Sequence, residues 1–308
     1  MPIATLIAGP TASGKSALAL EIATRLGGLV VNADSMQVYA DLAVLSARPS
    51  RADLEQAPHA LYGFVPAGEE FSVGRYLELV APLVRAAREG GQPLVIVGGT
   101  GLYFRALVEG LVPTPAIPAA IRAFWRARAE AGHDLHAELT PRDPARAAQL
   151  HPADTPRLLR AIELHDATGR AYSDWLAENP GMPILVEGEW RGVFLNPQPE
   201  KLHAAIDGRF EAMMGAGALE EVRALVNRQP PLPRNLGVMK AHGVPHLAAY
   251  LAGGLDLETA IARGQSDTRA YARRQVIFAR RYLPAPRWFW AENATTARFM
   301  STRPRTQP

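Results

Sequence analysis

The chain has 308 residues, a formal net charge of +3, and hydrophobic and charged fractions of 48% and 20%, which exclude a disordered chain and admit one large domain or two modest ones. Cysteine is absent, which excludes disulfides and thiolate metal sites, and no apolar run is long enough to cross a bilayer. The slight basic excess tilts toward an anionic partner, although the position of the charges matters more than their total.

Ile3-Ala-Thr-Leu-Ile-Ala8 reads as a buried strand, with no basic-then-apolar leader before it, so a soluble cytoplasmic protein is expected. It runs into Gly9, Pro10, Thr11, Ala12, Ser13, Gly14, Lys15 and Ser16, which fit the pattern Gly-x4-Gly-Lys-[Ser/Thr] at every fixed position. Leu18, Ile22 and Leu26 then recur at helical spacing, and Gly27-Gly28 ends that helix. Strand, loop and helix arrive in the order a phosphate-binding loop needs. Backbone N–H groups and the positive end of the helix would surround a di- or triphosphate. Lys15 would reach the phosphate oxygens and the Ser16 hydroxyl would ligate Mg²⁺.

Gly28-Leu-Val-Val-Asn-Ala-Asp34 reads as a second strand, delivering Asp34 and Ser35 at its carboxyl end. Val73 to Glu89 looks helical, with Tyr76, Val80, Leu83, Val84 and Ala87 on one side. Pro93-Leu-Val-Ile-Val-Gly98 is a further strand, ending in the turn Gly98-Gly-Thr-Gly101. Strands alternating with helices predict an α/β fold, a P-loop NTPase-like parallel sheet flanked by helices. Ligands then bind outside the carboxyl ends of the strands, which places Gly9–Ser16, Asp34 and Thr100 around one crevice.

From Pro113 the texture changes. Pro113, Pro115 and Pro118 break the chain, helical stretches follow at Ala119–Ala131 and Pro156–Thr168, and the next strand is Arg191-Gly-Val-Phe-Leu-Asn196. The expected organisation is a first core part over 1–112, an all-helical insertion over 113–190, and a second core part over 191–295. Residues 296–308 would form a disordered tail. On the helix that ends near Arg281, Arg269, Arg273 and Arg280 fall within roughly 40° of arc, with Tyr271, Phe278 and Tyr282 nearly opposite. A solvated face and a groove for a phosphate backbone both fit that stripe.

The blocks Gly9–Ser16, Asp34-Ser-Met-Gln-Val-Tyr39, Gly98-Gly-Thr-Gly-Leu-Tyr103 and Thr268-Arg-Ala-Tyr-Ala-Arg-Arg-Gln275 together resemble the signature blocks of the tRNA dimethylallyltransferases, also called tRNA isopentenyltransferases. The resemblance implies transfer of a dimethylallyl group from dimethylallyl diphosphate to N6 of adenosine 37, beside the anticodon, with release of diphosphate. It implies a P-loop core with a helical insertion and Mg²⁺ as cofactor. Lys15, the loop amides and Arg209 would stabilise the leaving diphosphate. Asp34 would take the proton from N6, or by ordinary P-loop logic hold Mg²⁺ through water beside Ser16. Thr100 would orient the base or the diphosphate, and Arg122 matches a substrate site of the family. Contacts to the tRNA anticodon stem-loop carry over to Asp34, Ser35, Met36 and Gln37; to Pro156, Arg157, Leu158, Leu159 and Arg160; to Arg234, Asn235, Leu236, Gly237, Val238 and Met239; and to Arg273, Arg274, Gln275 and Arg280. A monomer is the expected state.

The chain departs from the family pattern in places. Leu45-Ser-Ala-Arg-Pro49 stands for Gly-Thr-Ala-Lys-Pro, and Pro58-His-Ala-Leu-Tyr-Gly63 replaces the block that carries His-His-Leu-Ile/Phe-Asp. Leu236-Gly-Val-Met-Lys240 stands for Ile-Gly-Tyr-Lys/Arg-Glu, and Ile277-Phe278 for Thr-Trp. In sequence, none falls within the phosphate loop or on Asp34, so the chemistry is expected to survive. The eight histidines show no tight metal-ligand pairing. Three rival readings share the loop: a nucleotide kinase that consumes ATP, an isopentenyltransferase acting on free AMP, and a non-catalytic RNA-binding ATPase module.

Overall fold

The computed structural model describes residues 2–294 and places them in two compact units, 2–108 with 184–294 and Glu109–Pro183. The expected tail lies outside the described residues.

The first unit is built on six strands: β1 (Ala4–Ala8), β2 (Leu29–Asn32), β3 (His59–Ala60), β4 (Leu94–Gly98), β5 (Trp190–Leu195) and β6 (Trp288–Ala291). Their order is β3-β2-β4-β1-β5-β6 and every pairing is parallel. Ala8 stands opposite Gly98 on one side and Phe194 on the other. The apolar runs are continuous because both faces are covered, and the pleat divides them by parity. Leu6, Leu94, Ile96 and Phe194 face one core, whereas Ile7, Val95, Val97 and Val193 face another.

Helices α1 (Lys15–Leu26), α2 (Arg51–Gln56), α3 (Val73–Arg88) and α4 (Gly101–Glu109) accompany the first strands. Leu18, Ala19, Ile22 and Ala23 of α1 cover one face of the sheet, while Tyr76, Val80 and Val84 of α3 and Phe104 and Leu107 of α4 cover the other. Leu26, which continues the helical spacing of Leu18 and Ile22, is exposed.

Helices α5 (Ala119–Glu130), α6 (Leu135–Leu139), α7 (Pro144–Ala147), α8 (Thr155–Thr168) and α9 (Tyr172–Glu178) form the second unit. Trp125, Leu139, Leu158 and Ile162 make its core. Asp143 is fully buried there, and its carboxylate accepts from the backbone N–H and hydroxyl of Ser173, each at 2.8 Å, and from the Arg146 N–H at 2.9 Å. The expected boundary at 190 moves to 183. The amides of Ile184 and Leu185 both donate to the Leu107 carbonyl, and Trp190 already opens β5.

Helices α10 (Pro199–Gly215), α11 (Ala218–Val226), α12 (Val244–Leu251) and α13 (Leu257–Tyr282) return to the first unit. Phe210, Val222 and Leu247 join Val38, Tyr39 and Leu42 in a core of their own. No helix among the described residues is long and apolar enough to cross a membrane.

Candidate active site

The carboxyl ends of β1, β2 and β4 carry the three segments singled out from sequence. After β1, the loop turns through Ala12 at φ +61° and Gly14 at φ +86°, and Gly14 is the left-handed N-cap of α1. Lys15 folds back, its ammonium donating to the Pro10 carbonyl at 3.2 Å. Burial lowers its pKa to about 8, a fall opposed by the charge of Asp34 and deepened by Arg209. The Ser13 hydroxyl is buried with no hydrogen-bond partner among the described residues, and Ser16 is exposed at the start of α1.

After β2, Asn32 is fully buried and fixes the chain, donating to the carbonyls of Asp34 and Leu61 at 2.9 Å and accepting from the Asp34 N–H at 2.8 Å. Asp34 Oδ1 accepts from the Met36 N–H at 2.9 Å. Oδ2 lies toward Gly99 and takes no hydrogen bond among the described residues. One oxygen thus orients the carboxylate while the other stays available.

After β4, Gly98 is required by close approach: a Cβ there would lie 2.1 Å from the Ala33 carbonyl. Thr100 is held by donation from its N–H to the Ala33 carbonyl, and its hydroxyl accepts from the Ser35 N–H at 2.9 Å. Tyr271 of α13 borders the same cavity as Asp34.

Gln275 ties these segments together. Its Oε1 accepts from the Thr11 N–H at 3.0 Å, and its Nε2 donates to the Gly99 carbonyl at 2.8 Å. This corrects the expectation of an RNA contact, because the side chain is buried with both ends of its amide committed. Leu158 and Val238 are likewise fully buried, so their side chains pack in cores and are not presented to RNA. Gln37 spends its amide on the carbonyls of Ser46 and Ala47.

Arg209, on α10, meets Asp34 with Thr11, Ala12, His242 and Tyr271 around a single cavity. Burial lowers the pKa of Arg209 and Asp34 opposes that fall. Burial, then the charge of Asp34, push the hydroxyls of Tyr62 and Tyr271 above the usual phenol range. Burial holds the His242 imidazole toward neutrality. A larger cavity of about 710 Å³ adjoins, bordered by Ser16, Gln37, Arg48, Tyr62 and Arg209.

On α13, Arg273, Arg274 and Arg280 are exposed, whereas Arg269 is tied to Asp207. Arg234 and Asn235 are exposed, and Leu236, Gly237 and Met239 are half-buried. In the second unit, Pro156 is exposed and Leu159 half-buried. Arg157 pairs with Asp154 at 2.8 Å, Arg160 bonds to the Thr114 hydroxyl, and Arg122 lies on α5. Sequence reasoning missed His242, Arg48 and the clamp role of Gln275. Each depends on a neighbour distant in the chain.

A parallel sheet with a glycine-lysine loop at the end of its central strand, and a carboxylate and an arginine facing that loop, defines an α/β protein of the P-loop class. Similarity to known proteins narrows this further. The IPP transferase family model matches residues 37–282, and an isopentenyl transferase model matches residues 2–62. A tRNA dimethylallyltransferase of Methylocella silvestris is 52% identical over 293 residues, covering 94% of each chain. One from Methylobacterium sp. (strain 4-46) is 52% identical over 291 residues, covering 93% of each. A full-length tRNA isopentenylpyrophosphate transferase from Bacillus halodurans aligns at 28% identity and a TM-score of 0.67, covering 97% of this chain and 93% of that one. A eukaryotic dimethylallyltransferase solved acting on tRNA aligns at 26% identity and a TM-score of 0.82, covering 99% and 81%. The chain belongs to the IPP transferase family.

Proposed function

We propose that the chain transfers the dimethylallyl group of dimethylallyl diphosphate to N6 of adenosine 37 in tRNA. The observation that carries this reading is the Asp34 carboxylate, with one oxygen unbonded among the described residues, sharing a cavity with the phosphate loop and Arg209. The N6 lone pair forms a bond to the allylic C1, the C1–O bond breaks, and its electron pair leaves on the diphosphate. The proton displaced from N6 passes to Asp34 Oδ2. Loop amides, Lys15 and Arg209 meet the charge that grows on the leaving oxygens.

The available donors fit Mg²⁺, since the Ser16 hydroxyl and the Asp34 carboxylate are hard oxygen ligands, and that ion usually takes one or two protein groups plus substrate phosphate. Bound there through Ser16 and substrate phosphate, it would neutralise phosphate charge and leave Asp34 Oδ2 for the proton. The exposed arginines of α13 and the exposed Arg234 suit the RNA backbone.

Incubation with tRNA and labelled dimethylallyl diphosphate should label the tRNA, while AMP as acceptor, or ATP as donor, should give no product. Label on AMP alone would refute the reading. Asp34→Asn should retain diphosphate binding and lower turnover by about 10²–10⁴-fold. Turnover near that of the parent would remove Asp34 as the base.

A further inference from the structure

We propose that Arg48 is a further anion-binding residue of the diphosphate pocket, left without a counter-charge by the glycine at position 63. The proposal rests on the reading above, since the anion is the donor's diphosphate.

Arg48 and Arg209 together border two adjoining cavities, and Ser16 of the phosphate loop borders the first. The Arg48 side chain has no hydrogen bond or ion pair among the described residues. The acids on the first cavity are engaged elsewhere: Glu21 pairs with Arg25 at 2.7 Å, and Asp53 closes a capping box with Ser50. A half-buried guanidinium without a partner favours an anion, and its planar fork matches two phosphate oxygens.

Gly63 is what frees it. The residue sits at φ +58°, and a Cβ built there would lie 1.4 Å from Nη1 of Arg48 and 2.6 Å from its Cζ. Glycine therefore meets a backbone requirement and vacates the space that the guanidinium fills. Any side chain in that place would displace the guanidinium. Positions 48 and 63 thus meet in one contact in the fold.

The segment bearing Arg48 is also held firmly. The Glu221 carboxylate accepts from the N–H groups of Ala43 and Val44 at 2.8 Å and of Leu45 at 3.0 Å. Gln37 Nε2 donates to the Ser46 carbonyl at 3.0 Å and the Ala47 carbonyl at 2.8 Å. Ala47, immediately before Arg48, adopts φ +55°, a conformation that a non-glycine residue keeps only where its surroundings impose it. Those bonds impose it, and the arginine is presented at the pocket before any ligand arrives.

The test uses the whole protein, inorganic diphosphate in calorimetry with and without Mg²⁺, and an anticodon stem-loop RNA in fluorescence anisotropy. Arg48→Gln should weaken diphosphate binding about 10-fold or more, with Arg48→Lys recovering part of it and RNA affinity unchanged in both. Diphosphate affinity within about twofold of the parent in both variants would overturn the proposal, whether or not RNA binding falls. Lys15→Met separates the two levels. If it loses diphosphate binding while Arg48→Gln does not, Arg48 alone is rejected; if the parent itself binds no diphosphate, the functional reading falls as well.

Discussion

Replacing Lys15 by methionine should stabilise the ligand-free fold while destroying its affinity for diphosphate. The Lys15 ammonium is buried on one hydrogen bond, to the Pro10 carbonyl at 3.2 Å, and burial lowers its pKa from 10.5 to about 8. Holding that charge in the folded protein costs on the order of 3 kcal/mol relative to the unfolded chain. Between pH of about 8 and 10.5 the unfolded chain keeps a proton that the folded one has released, so stability rises with pH across that window. Below about pH 8 the whole penalty is present. Lys15→Met should therefore gain roughly 2–3 kcal/mol at pH 7, several degrees in melting midpoint, and the gain should vanish near pH 10.5. Thermal melts of parent and variant across that range read it directly. In the parent, diphosphate binding above about pH 8 should draw a proton back onto Lys15, seen as a binding heat that varies with the ionisation enthalpy of the buffer. A variant no more stable than the parent at pH 7 would refute the argument that the lysine is held under strain for its ligand.

Two further outcomes are expected. Gln275→Leu leaves the Thr11 N–H and the Gly99 carbonyl without partners, so it should cost about 2–4 kcal/mol in chemical denaturation and loosen the phosphate loop. A loss below about 0.5 kcal/mol would show that water replaces the amide. Arg273→Ala removes an exposed cation from α13 and should lower the salt slope of tRNA binding by about one, read from affinities over a range of salt concentrations. An unchanged slope returns Arg273 to the solvated face.

The sequence by itself determined the parallel α/β core, because its strands are apolar on both faces and its helices on one, and these patterns require only local periodicity. It also determined the phosphate loop, whose fixed residues are contiguous, and placed Asp34 and Thr100 at strand ends. The two short strands, His59–Ala60 and Trp288–Ala291, were not legible, since each exists through the neighbour it pairs with. The identity of Gln275 as a clamp, the burial of Leu158 and Val238, and the commitment of Arg269 to Asp207 were equally hidden. A helical arginine or glutamine looks the same in sequence whether it faces solvent, an acid or a buried amide. Only the tertiary structure brings residues 34, 209, 242 and 271 to one cavity and sets Arg48 over Gly63. Such contacts join positions widely separated along the chain, and no periodicity within a segment encodes which partner will occupy the space beside it.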